Sequence, residues 1–350
     1  SIKIMSGIIR KNRSRSSGVV KSLSGAISIA GDKPGPSLGD MWYNSSTNLI
    51  RCAIPVAAWS AGGNLGAAKH DADGCGTQGA ALSIAGNPVV VTCELYDGSS
   101  WGSAGNVNTG SRGHACSGTT TDAIKHGGYP SGALSAVETY NGTAWSANPT
   151  ATPTGVYSAA SIGHTSTSHT YCGGSIGGPT GVQDDCYLWN GSSWAAEGDM
   201  LGGRNTAHGC GTATAGLTTS ALTTAISPYS PNNQTESYNG TAWSDTEDDF
   251  PVSDIYNVCG AGASTDCLYT TGHTTSGDNN TQHAYSYDGS SWTQETNFPI
   301  AVGNISSSAT DTSDDALLFM GGISSNGAGT KRNNTYEWDK GAGNATVSTE

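Results

Sequence analysis

The sequence predicts an all-β protein assembled from six repeats of four strands each. Three observations lead there. An aromatic residue, then Asn-Gly or Asp-Gly, then Trp recurs in "ELYDGSSWGS", "ETYNGTAWSA", "LWNGSSWAAE", "ESYNGTAWSD" and "YSYDGSSWTQ". The closing residues Trp101, Trp145, Trp194, Trp243 and Trp292 stand 44, 49, 49 and 49 residues apart. A period in this range is the mark of stacked or radial repeats. No stretch carries apolar residues at helical spacing over several turns, so long helices are not expected.

Each element follows in order. Asn-Gly or Asp-Gly between two apolar-rich runs signals a tight hairpin, because both residue types tolerate positive φ. The residues before the turn alternate, as in "TCELYD", and period two means strand. The leading aromatics Tyr96, Tyr140, Trp189, Tyr238 and Tyr287 therefore sit one strand away from the closing tryptophans, close enough for the rings to pack. Upstream, "GCGTQGAALSIAG", "ACSGTTTDAIKHGG", "SIGHTSTSHTYCGG", "GCGTATAGLTTSA", "CGAGASTDCLYTTG" and "SATDTSDDALLFMGG" align as a second hairpin. Two hairpins make four strands per repeat. Fifty glycines in 350 residues suit tight turns and crowded inner strands. Four-stranded units arranged about an axis are propeller blades.

The last repeat has Trp338 at the aromatic position and Gly343 where its Trp belongs. Trp59, 42 residues before Trp101, has no repeat of its own. The expectation is that the segment around Trp59 supplies the fourth strand of the last blade and closes the ring, which removes exposed sheet edges. The competing reading lets 342–348 form that strand alone.

A diglycine after an apolar strand (Gly127-Gly128, Gly173-Gly174, Gly321-Gly322), then Tyr, then Trp, resembles the kelch repeat over residues 59–345. Repeat one departs with Ala85-Gly86, repeat four lacks the diglycine in "TTAISPYSP", and the Tyr-to-Trp interval is shorter than is usual for kelch. The wording "YNGTAW", "WSAGGNL" and "GCGTQGAAL" is similar to kelch-like repeats of uncharacterised virion proteins of marine bacteriophages. The fold class expected is thus a six-bladed kelch-like β-propeller preceded by an arm and a short hairpin. Its boundaries are a basic extended arm at 1–38, a hairpin connector at 39–58 ("DMWYN", "SST", "NLIRC") and the propeller at 59–350.

The net charge of −13 is unevenly spread. Residues 1–33 hold seven Lys/Arg and one acid, a charge of +6, whereas 34–350 hold eight basic and 27 acidic residues, a charge of −19. Such asymmetry marks an interaction arm. The acidic body argues against nucleic acid as main ligand, since phosphate contacts dominate that affinity. No apolar run reaches the length of a membrane span, and the N-terminus lacks the apolar core of a secretory leader. The resemblance implies a non-enzymatic virion component, in a tail fibre, appendage or capsid decoration. Arg10, Lys11, Arg13 and Arg15 would dock it onto capsid or tail proteins. The propeller would then face a host-surface glycan or protein, and a homo-oligomer is compatible with this. The alternative is a free lectin or a propeller glycoside hydrolase.

Nothing in the sequence assembles a catalytic site, a metal site or a cofactor site. There is no nucleophile elbow, zincin helix or phosphate loop. His114 and His208 each stand two residues before a cysteine at what reads as one repeat position, but two lone histidines are not a ligand set. Glu94, Glu138 and Glu236 recur at one repeat position and are read as structural, because an active site is normally built once. Cys75, Cys116, Cys210 and Cys259 read as small packing residues at one position. Cys172 and Cys186 fall in neighbouring strands and could pair. Binding is expected on the polar loops 175–185, 218–234 and 272–283, with Tyr229, His273 and His283 as the candidate contacts, because loops on a rigid frame carry such roles.

Overall fold

The computed structural model describes residues 27–29, 40–46, 48–178, 181–224, 229–246, 248–275, 279–308, 316–325 and 329–346. It divides into two compact units, one of residues 1–58 with 340–350 and one of Trp59–Asp339. In the first, Met41–Asn44 pairs antiparallel with the start of Leu49–Ala61, from Met41 opposite Cys52 to Asn44 opposite Leu49. Ile27–Ile29 adds a parallel strand, and Trp42 is buried. Arg10, Lys11, Arg13 and Arg15 lie outside the described residues.

The second unit is a six-bladed β-propeller of four antiparallel strands per blade, with no helix among the described residues. The first five blades occupy residues 73–103, 115–148, 160–196, 208–245 and 259–294. In the sixth the strand order is Ser306–Ser307, Ala316–Met320, Thr335–Thr346 and Leu49–Ala61. Trp59 packs there against Trp338, Phe298 and Phe319 at 4.7, 4.8 and 5.5 Å. The inner strands Asp73–Thr77, Ala115–Gly118, Ala160–Thr165, His208–Thr212, Cys259–Ala263 and Ser306–Ser307 each lie beside the next, and the last lies beside the first. Six strands converging on one axis leave room only for small residues. A Cβ on Gly209 would stand 2.4 Å from the Ser161 carbonyl oxygen of the neighbouring blade.

The repeated phrase acquires a reason atom by atom. Its Asp or Asn folds back as an Asx turn: Oδ1 of Asp97 accepts from the amides of Ser99 and Ser100, and Oδ1 of Asn141, Asn190, Asn239 and Asp288 does the same. These donors hold the Asp97 carboxyl down at about 2. The glycine that follows takes φ between 87 and 91°, which a side chain resists. The aromatic and the Trp then face each other across the hairpin, with centroids 5.0, 5.1, 5.1, 5.2 and 4.9 Å apart in blades one to five. Such pairs contribute about 0.5–1.5 kcal/mol beyond their buried area. Three of the five tryptophans also reach back to the start of the preceding blade's third strand. Nε1 of Trp101 donates to Thr335, that of Trp243 to the Cys186 sulfur and that of Trp292 to Thr235. For Trp194 that position is Val137, which offers no acceptor, and its Nε1 stays unpaired, as does that of Trp145.

The diglycine is the second ring-building device. Its first residue is left-handed in all six blades, at Ala85, Gly127, Gly173, Ser220, Thr271 and Gly321, with φ from 46 to 73°. Repeat four therefore keeps the position as Ser220-Ala221. The amide of the second glycine donates to the lead-in segment of the next blade: Gly86 to Ser111, Gly128 to Val156, Gly174 to Arg204, Gly272 to Val302 and, closing the circle, Gly322 to Lys69.

Two sequence readings change in register. Cys75 and Cys210 stand opposite Leu82 and Leu217, but Cys116 is opposite Lys125 and Cys259 opposite Thr270, so the four cysteines do not share one position. His208 likewise aligns with Ala115, one residue after His114, because each stands opposite the last residue of its second strand. Cys172 and Cys186 face each other in register and are disulfide-bonded.

The recurrent glutamates are anchors, Glu138 and Glu236 buried and Glu94 partly so, each answered by a cation. Lys69 Nζ lies 3.5 Å from Glu94, Lys125 Nζ 4.0 Å from Glu138, and Arg204 pairs with Glu236 through Nε and Nη2. Lys69 and Arg204 come from lead-in segments, whereas Lys125 comes from the second strand of its own blade. The carboxylates also cap lead-in amides: Gly66 for Glu94, Asn108 and Thr109 for Glu138, Leu201 for Glu236. Burial holds both lysines below their ordinary pKa, opposed by the glutamates.

Candidate ligand-binding mouth

The segments that lead into the inner strands build one end of the central channel. His70, Arg112, Tyr157, Asn205, Tyr256 and Gly303 occupy one repeat position there. Each bridges to the loop after its blade's second strand, at Asn87, Tyr129, Ser175, Leu222, His273 and Ile323 respectively. The next residue is left-handed every time: Asp71, Gly113, Ser158, Thr206, Asn257 and Asn304 have φ between 48 and 62°. Five of these are not glycine, a conformation costing about 1–2 kcal/mol apiece. It is held by peptide hydrogen bonds that step from blade to blade. Asp71 donates to Asn304, Gly113 to Asp71, Ser158 to Gly113 and Thr206 to Ser158, at 3.2, 2.9, 2.7 and 2.9 Å.

Above this ring opens a cavity of about 300 Å³. Tyr129 and Tyr157 pack at a tilt of 55° with centroids 4.8 Å apart, and Tyr229 and Tyr256 at 42° and 5.5 Å. The Arg112 guanidinium lies 5.5 Å over the Tyr129 ring, with Nη1 3.9 Å from Asp71. The floor is amide: Asn257 donates to Asn304 Oδ1 at 2.9 Å, and Asn304 donates to Asp71. Asn205, 5% exposed, lines the cavity with its Oδ1 unpartnered, as is Oγ1 of Thr206. Buried polar atoms are nearly always satisfied, so the Asn205 oxygen calls for a donor, and the Thr206 hydroxyl for a donor or an acceptor, from outside the chain.

Below the ring the channel narrows to about 70 Å³. Asp73 accepts from the amides of Gly74 and Cys116 at 2.9 and 2.8 Å, and burial pushes its carboxyl up to about 7. His114 and His208 face the same space, and burial holds both imidazoles neutral, His208 at about 4. Among the described residues no three His, Cys, Asp or Glu converge as a metal would require.

The described parts of the three predicted loops follow second strands and lie at this end. Of the three candidate contacts, Tyr229 reaches the cavity and is 40% exposed. His273 is fully buried: it hydrogen-bonds Asn304 and packs on Tyr256 at 5.5 Å, so it supports the floor without facing the opening. His283 lies off the cavity against Tyr285 at 6.1 Å. The residues missed by sequence reasoning, Arg112, Tyr157, Asn205 and Tyr256, follow a repeat-closing Trp by 11, 12, 11 and 13 residues. Aligning the repeats on Trp and asking which position changes chemistry would have found them.

No protein-family model matches the chain, and no curated protein matches its sequence. Solved structures do match: 262 chains, a breadth that speaks for the architecture and not for one activity. One is described as the structure of YjhT, with a TM-score of 0.66 at 9% identity over 78% of this chain and 95% of that one. At that identity the likeness is of the propeller fold alone.

Proposed function

We propose that this chain is a non-enzymatic binding module of a virion that holds a glycan in the tyrosine-walled mouth. One observation carries the binding reading. Framework positions repeat their chemistry around the ring, as the Asx turns, closing tryptophans and diglycines do. The repeat position that supplies the mouth reads Arg112, Tyr157, Asn205 and Tyr256 in blades two to five, whereas His70 and Gly303 at the same position lie off the cavity. A frame repeated with one variable position per blade is how a symmetric scaffold makes an asymmetric site. Paired aromatic faces, amides and an unpaired acceptor suit a sugar, which offers C–H faces and hydroxyl donors. Against a hydrolase, Asp71 is tied to Arg112 and Asn304, and Asp73 sits below the ring in the smaller chamber of about 70 Å³. The virion setting rests on the likeness of the repeats to phage virion proteins and on the basic arm.

Two measurements test the proposal. Glycan-array binding by the full chain should be lost in Tyr129→Ala/Tyr157→Ala, with near-ultraviolet circular dichroism unchanged. No binding to any glycan would overturn the ligand assignment. A chain lacking residues 1–38 should fold yet fail to enter particles, and normal incorporation would overturn arm docking.

A further inference from the structure

We infer that the mouth takes a neutral sugar ring, with Asn205 Oδ1 accepting from one of its hydroxyls and the adjacent Tyr157 supplying a face for its C–H side. This rests on the glycan reading above and narrows it. Three observations select the class. First, the charge of the cavity is already offset. Its guanidinium, Arg112, faces Asp71 at 3.9 Å and lies over Tyr129. An acidic sugar would have to share Arg112 with Asp71 and approach a body of charge −19 over residues 34–350. Second, the unmet Oδ1 of Asn205 can only accept, and it lacks a partner in a residue 95% hidden from solvent. Beside it the Thr206 hydroxyl, which can accept or donate, is also unpartnered. An anion brings Asn205 Oδ1 only a further acceptor, whereas a sugar hydroxyl can satisfy both groups. Third, the geometry places acceptor and stacking face together. Asn205 and Tyr157 hold the same position on neighbouring blades, and the residues that follow them, Thr206 and Ser158, share a peptide hydrogen bond of 2.9 Å.

Tyrosine pairs in an acidic body also raise a quaternary ammonium as a ligand, through cation–π attraction. The unpaired acceptors speak against it, because a trimethylammonium group has no N–H or O–H to donate.

The test is saturation-transfer NMR and calorimetry on the full chain. The panel is methyl glycosides of glucose, galactose, mannose and N-acetylglucosamine, then methyl glucuronide, N-acetylneuraminic acid and choline. At least one neutral glycoside should bind, with Kd weakened about five- to tenfold in Asn205→Ala, the scale of one lost hydrogen bond. Tyr229→Ala, at an exposed rim position, should weaken the same ligand and serves if the Asn205 variant fails to fold. Binding of acidic sugars alone, abolished by Arg112→Ala, would overturn the neutral assignment and leave the glycan reading standing. Choline binding without any sugar would overturn both, as would a panel with no binder. A bound neutral sugar indifferent to both variants would place the site elsewhere.

Discussion

Acid should unfold this propeller by protonating histidines that its blades bury as neutral rings. His126 and His169, on neighbouring blades, meet Nε2 to Nε2 at 2.6 Å and are 1% and 0% exposed. One must donate and the other accept, so the two cannot both be charged, and burial keeps both rings neutral. The second nitrogen of His169 meets the Ser161 hydroxyl at 3.2 Å, and the pair is walled by Tyr171 and Trp194. Burial pushes His169 down to about 3, and burial with the neighbouring His169 and Lys125 pushes His126 well below its ordinary value. The sign follows from the direction of the shift. The unfolded chain takes up protons first, near pH 6.5, so the stability is complete above that pH and is lost as pH falls toward 3. At pH 4.5 His169 lies about two pH units below its unfolded pKa, a loss of about 2.7 kcal/mol. That is a large share of the 5–15 kcal/mol typical of a domain. The assay is urea unfolding followed by tryptophan fluorescence at pH 7 and 4.5, for the parent and His169→Gln, which keeps a hydrogen-bonding side chain but does not titrate there. The variant should be the weaker protein at pH 7, and its deficit should shrink by about 2–3 kcal/mol at pH 4.5. Parallel pH dependence in the two proteins would refute the reasoning.

Two further predictions concern the frame. Gly174→Ala puts a Cβ 2.6 Å from Val156 Cγ2 and 2.8 Å from the Tyr157 carbonyl at φ +88°, so it should cost about 2–4 kcal/mol. Gly102→Ala, with nothing within 4 Å, should stay within about 0.5 kcal/mol, and equal melting temperatures for the two would refute the crowding argument. Glu236→Gln should cost about 3–5 kcal/mol by stranding the buried Arg204, while Arg204→Met/Glu236→Met should recover most of it. A double variant no better than the single would show that the ion pair itself, not its desolvation balance, holds the lead-in segment.

The amino-acid sequence by itself determined the repeat, the strand pairs and the turns. Those are decided within about ten residues of chain: Asp97 or Asn141 closes its own turn, Gly98 or Gly142 supplies the φ, and Tyr and Trp meet across one hairpin. Blade count and strand order follow from the period. Only the tertiary structure decided what passes between blades, because those contacts join residues some 30–50 positions apart and depend on single-residue register. His114 and His208 looked equivalent in sequence and are one residue out of step. Glu94 and Glu138 looked alike and draw their cations from different segments. His273, polar and on a loop, lies buried, while the unremarked Arg112, Tyr157 and Asn205 converge on the mouth. Whether a side chain faces the axis or the core is set by the left-handed step that precedes each inner strand. That step is made by Asp, Ser, Thr and Asn as well as by Gly, so no residue type announces it, and it exists only once the ring of peptides is there to hold it.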